Sequence, residues 1–206
     1  MTAVIVKLAS MTKEKKVDGG PRDGMIRAAA ELLSERGLAG ASFSCVLERS
    51  GAPRGSIYHH FPEGKDELAA RAIELVGARV EHLVRTLKPR TPAELTRSFV
   101  APWRELLLRS DFAAGCAIAA VANERLAVPA LAERAAAVFA SWEAALVGQL
   151  VGLGVAPPEA RAFATLVLAS LEGALVLCRA NGNVAALDRV ETSLVAAAPG
   201  ESGHVD

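Results

Sequence analysis

The sequence predicts an all-α fold, with a small N-terminal unit of three helices followed by a larger C-terminal helical bundle. Of the 206 residues, 51% are hydrophobic but only 4% are aromatic, and alanine and leucine are abundant. This composition favours helices over strands. Apolar residues recur at helical spacing, and glycine or proline separates the periodic segments. A chain of this length can bury a sizeable core.

The N-terminal unit predicts three short helices. The first runs from Asp23 to Arg36 and stops at Gly37. The second follows Ser42, which is placed to cap it, and ends at Gly51, a residue that takes positive φ without a Cβ penalty. The third, from Arg54 to Phe61, starts in a new direction after a proline. Two short helices joined by a sharp turn have the layout of a helix-turn-helix.

The third helix predicts a surface that fits a DNA groove. Ile57 and Phe61 are an i, i+4 apolar pair that faces inward, so the polar residues between them face outward. Arg54 can bond a guanine edge, Ser56 a base or a phosphate, and Gly55 lets the helix approach the duplex closely. Four further side chains carry donors at the height of the phosphates: Tyr58, His59, His60 and Lys65. The alternative is that these four residues only cover a small helical core and form a solvated face.

Residues 43 to 68, FSCVLERSGAPRGSIYHHFPEGKDEL, resemble the DNA-binding domain of the TetR family of bacterial transcriptional regulators. The likeness runs from Arg22 to about Ala70, and a Tyr-x-His-Phe signature lies on the second helix of the motif. GAPRGSIYHH and FPEGK, which has one residue more before the lysine than the commonest pattern, resemble the LmrA/YxaF-like branch. The resemblance implies DNA contacts, to bases or phosphates, from Ser42, Ser44, Arg54, Gly55, Ser56, Tyr58, His59, His60 and Lys65.

The distribution of charge agrees with a DNA-binding head. The formal net charge of the chain is zero. Up to Lys65 there are ten Lys or Arg against seven Asp or Glu, a balance of +3, whereas the rest of the chain has thirteen against sixteen, a balance of −3. A positive head on a negative body has the sign that nucleic-acid binding requires.

The sequence of the C-terminal bundle, the body, predicts six helices, of which the first connects the head to the body. The stretch from Pro158 to Ala180 is apolar almost all round, which predicts contact with a second subunit through residues such as Leu171 and Leu175. A membrane span is the alternative, but three charged residues interrupt the stretch. By resemblance, the family forms homodimers through its last two helices. The predicted helices are Lys65 to Leu87, Pro92 to Arg109, Gly115 to Leu126, Pro129 to Leu153, Pro158 to Ala180 and Ala185 to Ala198.

The body also predicts a site for a small, mainly apolar effector. Most aromatic residues outside the head fall on helices that the TetR family arranges around a cavity, and an aromatic-lined pocket with few polar groups suits such a ligand. Ordinary core packing is the alternative for each aromatic residue. Acidic residues are candidates for polar contacts, and a cysteine for the wall. The candidate ligand-binding residues are Phe99, Trp103, Phe112, Cys116, Glu124, Phe139, Trp142, Phe163 and Glu172.

The sequence predicts neither a metal site nor a cofactor. Its three cysteines form no C-x-x-C pair, and no histidine has the i, i+4 partner of a helical metal site. Small buried cysteines in a reducing cytoplasm are the interpretation that this pattern favours. The cysteines are Cys45, Cys116 and Cys178.

The N-terminus predicts a flexible arm, with Met11 as an alternative start. Its apolar run is too short for a membrane span, and its charge order is the reverse of a signal peptide. The lysines after that run either attract phosphates or keep the arm solvated. The predicted domains are the arm (1–21), the helix-turn-helix DNA-binding domain (22–68), the ligand-binding and dimerisation domain (69–198) and a disordered tail (199–206).

Taken with the resemblance, these features imply a dimeric repressor. Such a protein binds a pseudo-palindromic double-stranded DNA operator, is released by a small-molecule effector and has no membrane partner. An enzyme is disfavoured, because the sequence contains no G-x-S-x-G, phosphate loop or convincing acid/base pair. A helical ligand-binding adaptor without sequence-specific DNA binding is the remaining alternative.

Overall fold

The computed structural model describes residues 20–200, which contain nine helices and no strand. The all-α prediction is confirmed. The predicted arm and tail fall almost entirely outside the described residues, as does Met11. The helices are α1 (Pro21–Gly40), α2 (Phe43–Ser50), α3 (Ser56–His60), α4 (Lys65–Thr86), α5 (Pro92–Arg109), α6 (Ala117–Ala122), α7 (Pro129–Gly152), α8 (Pro157–Asn181) and α9 (Ala185–Ala196).

The head consists of α1, α2 and α3 around a small apolar core. The Ser42 hydroxyl accepts a hydrogen bond from the Cys45 N–H at 3.3 Å, and Gly51 closes α2 in the left-handed conformation at φ 67. Both caps agree with the sequence prediction. Val46 from α2, and Ile57 and Phe61 from α3, have no exposed surface, so the two helices are fixed against α1.

Helix α1 is broken at Gly37 rather than ended there. Gly37 has φ 66 and ψ −169, and a further helical turn continues to Gly40. The predicted stop therefore coincides with a real interruption of the backbone. The extra turn depends on Gly40, because an added Cβ at that position would lie 2.2 Å from the Cβ of Arg36.

Helix α3 is shorter than predicted, since it begins at Ser56 instead of Arg54. The Pro53 carbonyl accepts both the Ser56 N–H, at 3.0 Å, and the Ser56 hydroxyl, at 2.7 Å. These bonds form a turn, which places Arg54 and Gly55 before the helix. The reading element is thus a turn followed by a short helix.

Helix α4 leaves the head and is fixed along its length to α7. The buried Trp142 indole donates to the Gly77 carbonyl at 3.0 Å, and a Cβ on Gly77 would approach Val138 to 2.8 Å. The Gln149 amide donates to the carbonyls of Val84, at 2.8 Å, and Leu87, at 3.3 Å, near the end of α4. Helix α4 therefore joins the head to this framework of the body.

Helix α6 is shorter than its prediction at both ends. Residues 113–116 before it have no regular secondary structure, and the Gly115 N–H donates to the Ser34 carbonyl of α1 at 2.8 Å. Residues 123–127 form turns after it. Cys116 is the N-cap, where its sulfur accepts the Ala119 N–H at 3.4 Å. The contact with α1 therefore takes the place of the first predicted helical turn.

Helices α7 and α8 are each long and apolar enough to cross a membrane, judged by length and composition. One face of each packs against the rest of the bundle, as core helices of globular proteins do. On α8, Leu171 and Leu175 face this inner side and are 0% and 1% exposed. The expectation that these two leucines contact a partner is therefore wrong, because they fill the core of their own subunit.

Helix α9 is held to the bundle by an ion-pair cluster. The Arg104 guanidinium of α5 lies 2.7 Å from Asp188 and 2.6 Å from Glu191. Burial lowers the pKa of Arg104, but the hydrogen bonds that its guanidinium donates to Glu191 and Asp188 raise that pKa by more, so the net direction is upward. The cluster therefore joins α9 to α5.

Candidate DNA-binding surface and effector site

Helix α3 presents an exposed polar and aromatic face while its apolar face is buried. Tyr58 is 69% exposed, His59 is exposed and His60 is half-buried. The Tyr58 ring meets the edge of Phe43 at 5.5 Å between centroids, with an interplanar angle of 82°. This contact orients the phenol although most of the side chain is in solvent. The outward direction predicted from the Ile57 and Phe61 spacing agrees with this geometry.

The turn before α3 carries the residues predicted to face bases. Arg54 and Gly55 are exposed, and Ser56 is half-buried with its hydroxyl donating to the Pro53 carbonyl at 2.7 Å. That hydroxyl oxygen keeps acceptor capacity but has used its hydrogen. Arg54 therefore carries the free donor groups of this turn, and Gly55 leaves space for a close approach.

The two serines at the start of α2 differ in role. Ser42 is half-buried and caps the helix, whereas Ser44 is exposed, with its hydroxyl 2.9 Å from that of Ser42. Ser42 thus fixes the helix end, and Ser44 is the serine that solvent or a ligand can reach. Lys65, the first residue of α4, is half-buried. It follows Gly64, whose φ of 91 disfavours any side chain at that position.

Two arginines of the head were not singled out by the sequence. Arg49 forms paired hydrogen bonds of 2.7 and 2.8 Å with Glu35, and lies 3.6 Å from Glu31. Its hydrogen bond to Glu35 raises its pKa, and its charge is balanced within the head. Arg22, half-buried, lies 5.4 Å above the Phe61 ring. Since Phe61 follows α3 directly, Arg22 adds a cation beside the predicted phosphate contacts.

The comparisons with known proteins follow this division into head and body. Residues 25–72 match the family model described as bacterial regulatory proteins, tetR family. Residues 92–193 match the model described as transcriptional regulator LmrA/YxaF-like, C-terminal domain.

The chain belongs to the TetR family of transcriptional regulators.

Relatives agree with this assignment along most of the chain. An uncharacterized HTH-type transcriptional regulator of Mycobacterium tuberculosis is 38% identical over 85% of this chain and 92% of its own length. The regulator YxaF of Bacillus subtilis is 30% identical over 79% of this chain and 87% of its own length. A TetR regulator structure from Legionella pneumophila has the same fold, with a TM-score of 0.80 and 18% identity, over 90% of this chain and 100% of that one.

In the body of this TetR-family regulator, three of the predicted ligand-binding aromatics pack against one another. Phe99, Trp103, Trp142 and Phe163 are buried, whereas Phe112 and Phe139 are half-buried. The Trp142 ring lies 6.0 Å from Trp103 and 5.5 Å from Phe139, both edge-on. Trp142 also donates to α4, so this cluster connects α5, α7 and the linker helix.

A cleft opens beside the aromatic cluster, at the seam between head and body. The space enclosed in it is about 30 Å³, roughly the size of one or two water molecules, so a ligand must widen it, and its lining is mostly apolar. Trp103 is the predicted ligand-binding residue that lines it. The lining residues come from α1, α4, α5 and the start of α6, and are Ser34, Val76, Arg79, Val80, Trp103, Leu106, Gly115 and Ala117.

The three predicted polar or sulfur contacts of the effector site fall in two places. Glu172 and Cys116 are neighbours inside the body, and Glu172 Oε1 is buried without a hydrogen-bond partner among the described residues. Burial raises the pKa of Glu172 to about 7, against a smaller lowering by its hydrogen bond with Cys116. Burial, with Glu172 adding to it, raises the pKa of the Cys116 thiol well above its usual value. Glu124 instead lies exposed in the turn after α6.

The exposed turn removes Glu124 from the interior that a pocket contact requires. Its neighbour Leu126 is 99% exposed, so the whole turn projects into solvent because α6 ends at Ala122. Within residues 20–200, no group of three or more His, Cys, Asp or Glu side chains is arranged to hold a metal ion.

Proposed function

We propose that this TetR-family protein is a dimeric repressor that binds a pseudo-palindromic DNA operator and releases it when a small, mainly apolar effector binds the body. The observation that carries the proposal is the exposed face of α3 and its preceding turn, set on a buried apolar core. An exposed tyrosine and two histidines follow an exposed Arg-Gly turn. In a TetR-family regulator, such a face fits the major groove of DNA.

In this proposal the head divides its DNA contacts by chemistry. Arg54 reads a guanine edge, and Gly55 and Ser56 bring the backbone of the turn close to the bases. The surrounding donors hold phosphates and so position the helix without specifying sequence. These positioning donors are Ser44, Tyr58, His59, His60, Lys65 and Arg22, with Ser42 fixing the helix that carries Ser44.

The proposed dimer interface is the outer face of α8, together with α9. Leu166, Val176 and Leu177 on this face are 47%, 67% and 52% exposed. An added Cβ on Gly173 would meet nothing within 4 Å, so the centre of the face is open to a partner helix. A contiguous exposed apolar face marks a protein interface. Its members are Ala162, Leu166, Ala169, Gly173, Val176, Leu177 and Ala180.

The proposed effector site is the cleft at the seam, with the aromatic cluster behind it. Val76, Val80 and Trp103 give it apolar walls, and α4 forms one side. A ligand there contacts the helix that carries the head, which is how binding reaches the DNA surface. In this proposal the protein acts in the cytoplasm, where its operator lies, and its three free cysteines support a reducing compartment.

The decisive experiment is selection of duplexes from a random-sequence DNA library by the purified protein, followed by gel-shift titration. We expect a two-fold symmetric consensus bound by a dimer. The Arg54→Ala variant, prepared in parallel, should enrich a relaxed consensus. A well-folded dimer that enriches no sequence would contradict the proposal and favour a helical ligand-binding adaptor.

A further inference from the structure

The break in α1 leaves main-chain acceptors of the head without helical donors. The last carbonyls of a helical segment have no partner within the helix. Gly37 leaves helical geometry at φ 66 and ψ −169, and Ser34 and Glu35 lie just before it. Their carbonyls must therefore find donors elsewhere or remain in water.

The body supplies donors to both carbonyls. The Gly115 N–H, before α6, donates to the Ser34 carbonyl at 2.8 Å. The Arg179 guanidinium, near the end of α8, donates through Nη2 to the Glu35 carbonyl at 3.0 Å and to the Ala113 carbonyl at 2.9 Å. One arginine thus joins the head to the loop between α5 and α6. We name these five residues the α1 clamp.

The clamp is tight at Gly115 and has favourable charge, and the Arg179 side chain itself is exposed. A Cβ on Gly115 would lie 3.0 Å from Nη1 and 3.1 Å from Cδ of Arg179, so a glycine leaves the arginine room. A cation also suits the negative end of a helix dipole, which is where the Glu35 carbonyl lies. Arg179 therefore favours one position of α1 on the body.

We propose that Arg179 is a positioning residue, which fixes the reading head on the body and thereby sets operator affinity. The inference rests on the proposed operator binding and dimerisation. Val176 and Leu177, on the proposed partner face, lie within one turn of Arg179 on α8. The contact with the partner and the contact with the head then share one helix end. This arrangement fixes the separation of the two heads in the dimer.

The cleft at the seam gives the clamp a means of release. Ser34 and Gly115, which form one of its hydrogen bonds, both line the cleft, and Trp103 lies on the same wall. A molecule that widens the cleft between α1 and the residues before α6 lengthens this bond. Ligand binding in the cleft thereby lowers operator affinity. It does so by lengthening the bond between Gly115 and Ser34, which lies outside the DNA surface.

The test compares Arg179→Met, which keeps the length of the side chain without donors, with Arg179→Lys, which keeps a charged donor. Arg161→Met, an exposed arginine on the same helix, is the control. Each variant is titrated with a duplex selected by the wild-type protein and with a random duplex. We expect about a tenfold loss on the selected duplex for Arg179→Met, within the usual range of coupling between sites. Arg179→Lys should recover most of it.

Affinity for the random duplex should be the same in all variants, because phosphate contacts are unchanged.

Hydrogen exchange of the protein without DNA provides a second, independent measurement. Amides at 113–117 should exchange faster in Arg179→Met than in the wild type or in Arg161→Met. If Arg179→Met does not fold, Gly115→Ala, which displaces the arginine, should show a smaller change of the same kind.

The outcomes separate the two proposals. If the wild type selects no sequence, the operator function fails, while the exchange arm still tests the clamp. Unchanged affinity for the selected duplex in a dimeric Arg179→Met variant would overturn the positioning role. Equal losses in the Met and Lys variants, or unchanged exchange at 113–117, would also overturn it.

Discussion

Arg54 and Lys65 lie on either side of α3 and have different expected roles. Arg54 is exposed in the turn before the helix, and Lys65 begins α4 after it. We predict that Arg54→Ala weakens operator binding by about 1 to 3 kcal/mol and relaxes the preference at one base pair. Lys65→Ala should weaken binding to all DNA sequences similarly. It should also reduce by about one the slope of the logarithm of the binding constant against the logarithm of salt concentration.

Gel-shift titrations over a range of salt concentrations measure both effects. Arg97→Ala, at an exposed position on α5 in the body, is the matched control and should leave both affinities unchanged. An equal loss on operator and random DNA for Arg54→Ala would show that Arg54 contacts phosphate rather than a base.

The buried Glu172 carboxyl lowers the free energy of unfolding at neutral pH, and this effect can be measured. Its folded pKa of about 7 lies above the ordinary glutamate value because the carboxyl is buried. Below about pH 4.5 the carboxyl is protonated in both the folded and the unfolded protein, so burying it carries no charge penalty. As pH rises from there through 7 the unfolded protein loses the proton first, and the folded state becomes less stable. Above pH 7 the loss is roughly 3 kcal/mol.

We therefore predict that Glu172→Gln is more stable than the wild type at pH 8, and that this advantage shrinks as pH falls toward 5. Urea unfolding at several pH values measures it. Glu133→Gln, at an exposed position within α7 and outside its first turn, is the control and should leave stability unchanged. A constant difference between Glu172→Gln and wild type at all pH values would exclude titration of this carboxyl as the cause.

Among the elements, those with strong local signals matched their predictions most closely. Helix α5 begins at Pro92 and ends at Arg109 as predicted, since a Thr91 cap and a proline mark its start. The start of α3 and both ends of α6 differed. In α3 a turn bond to the Pro53 carbonyl delays the helix, and before α6 the Gly115 N–H is used by α1. The first of these bonds is a local turn between residues three apart, whereas the bond from Gly115 to Ser34 is tertiary and leaves no pattern in the local sequence.

The candidate sites divide in the same way. The outward face of α3 followed from two apolar residues at i, i+4, because helical geometry alone fixes which side is buried. The role of Arg179 required knowledge of contacts 144 positions apart in the chain. Likewise, the apolar character of α8 was readable, but which leucines face the partner depended on how the helix is rotated in the bundle.

That rotation leads to a prediction for α8. Leu177→Glu places a charge on the exposed apolar face, so we expect a folded monomer that has lost operator binding. Leu171→Glu instead buries a charge in the subunit core and should prevent folding. Leu126→Glu, at a fully exposed turn, is the control and should remain dimeric.

Analytical ultracentrifugation and circular dichroism of the three variants distinguish these results. A Leu177→Glu protein that stays dimeric at low micromolar concentration would remove this face from the interface. Loss of helical signal in Leu177→Glu would show that the residue packs within its own subunit.

At the scale of the whole molecule, the head is attached to the body in two ways. Helix α4 enters the body and is bonded to α7 through Trp142 and Gln149. The α1 clamp adds a second attachment, through Gly115 and Arg179. The cleft lies between these attachments, lined by α4 on one side and Ser34 of α1 on the other. We expect a ligand bound in the cleft to act on both attachments at once.

We predict that small aromatic compounds that quench Trp103 fluorescence also weaken operator binding. By linkage, the factor by which saturating compound weakens operator binding equals the factor by which operator weakens compound binding. A coupling of roughly 1 to 3 kcal/mol, or about 5- to 150-fold, is the usual range.

Leu106→Trp, which fills the cleft from its half-buried rim, should abolish compound binding while operator affinity without compound is retained. Fluorescence titrations with and without operator, paired with gel shifts at saturating compound, measure both sides of the cycle. A compound that saturates the cleft without changing operator affinity has equal affinity for the DNA-bound and free states, and the regulatory site would then lie elsewhere.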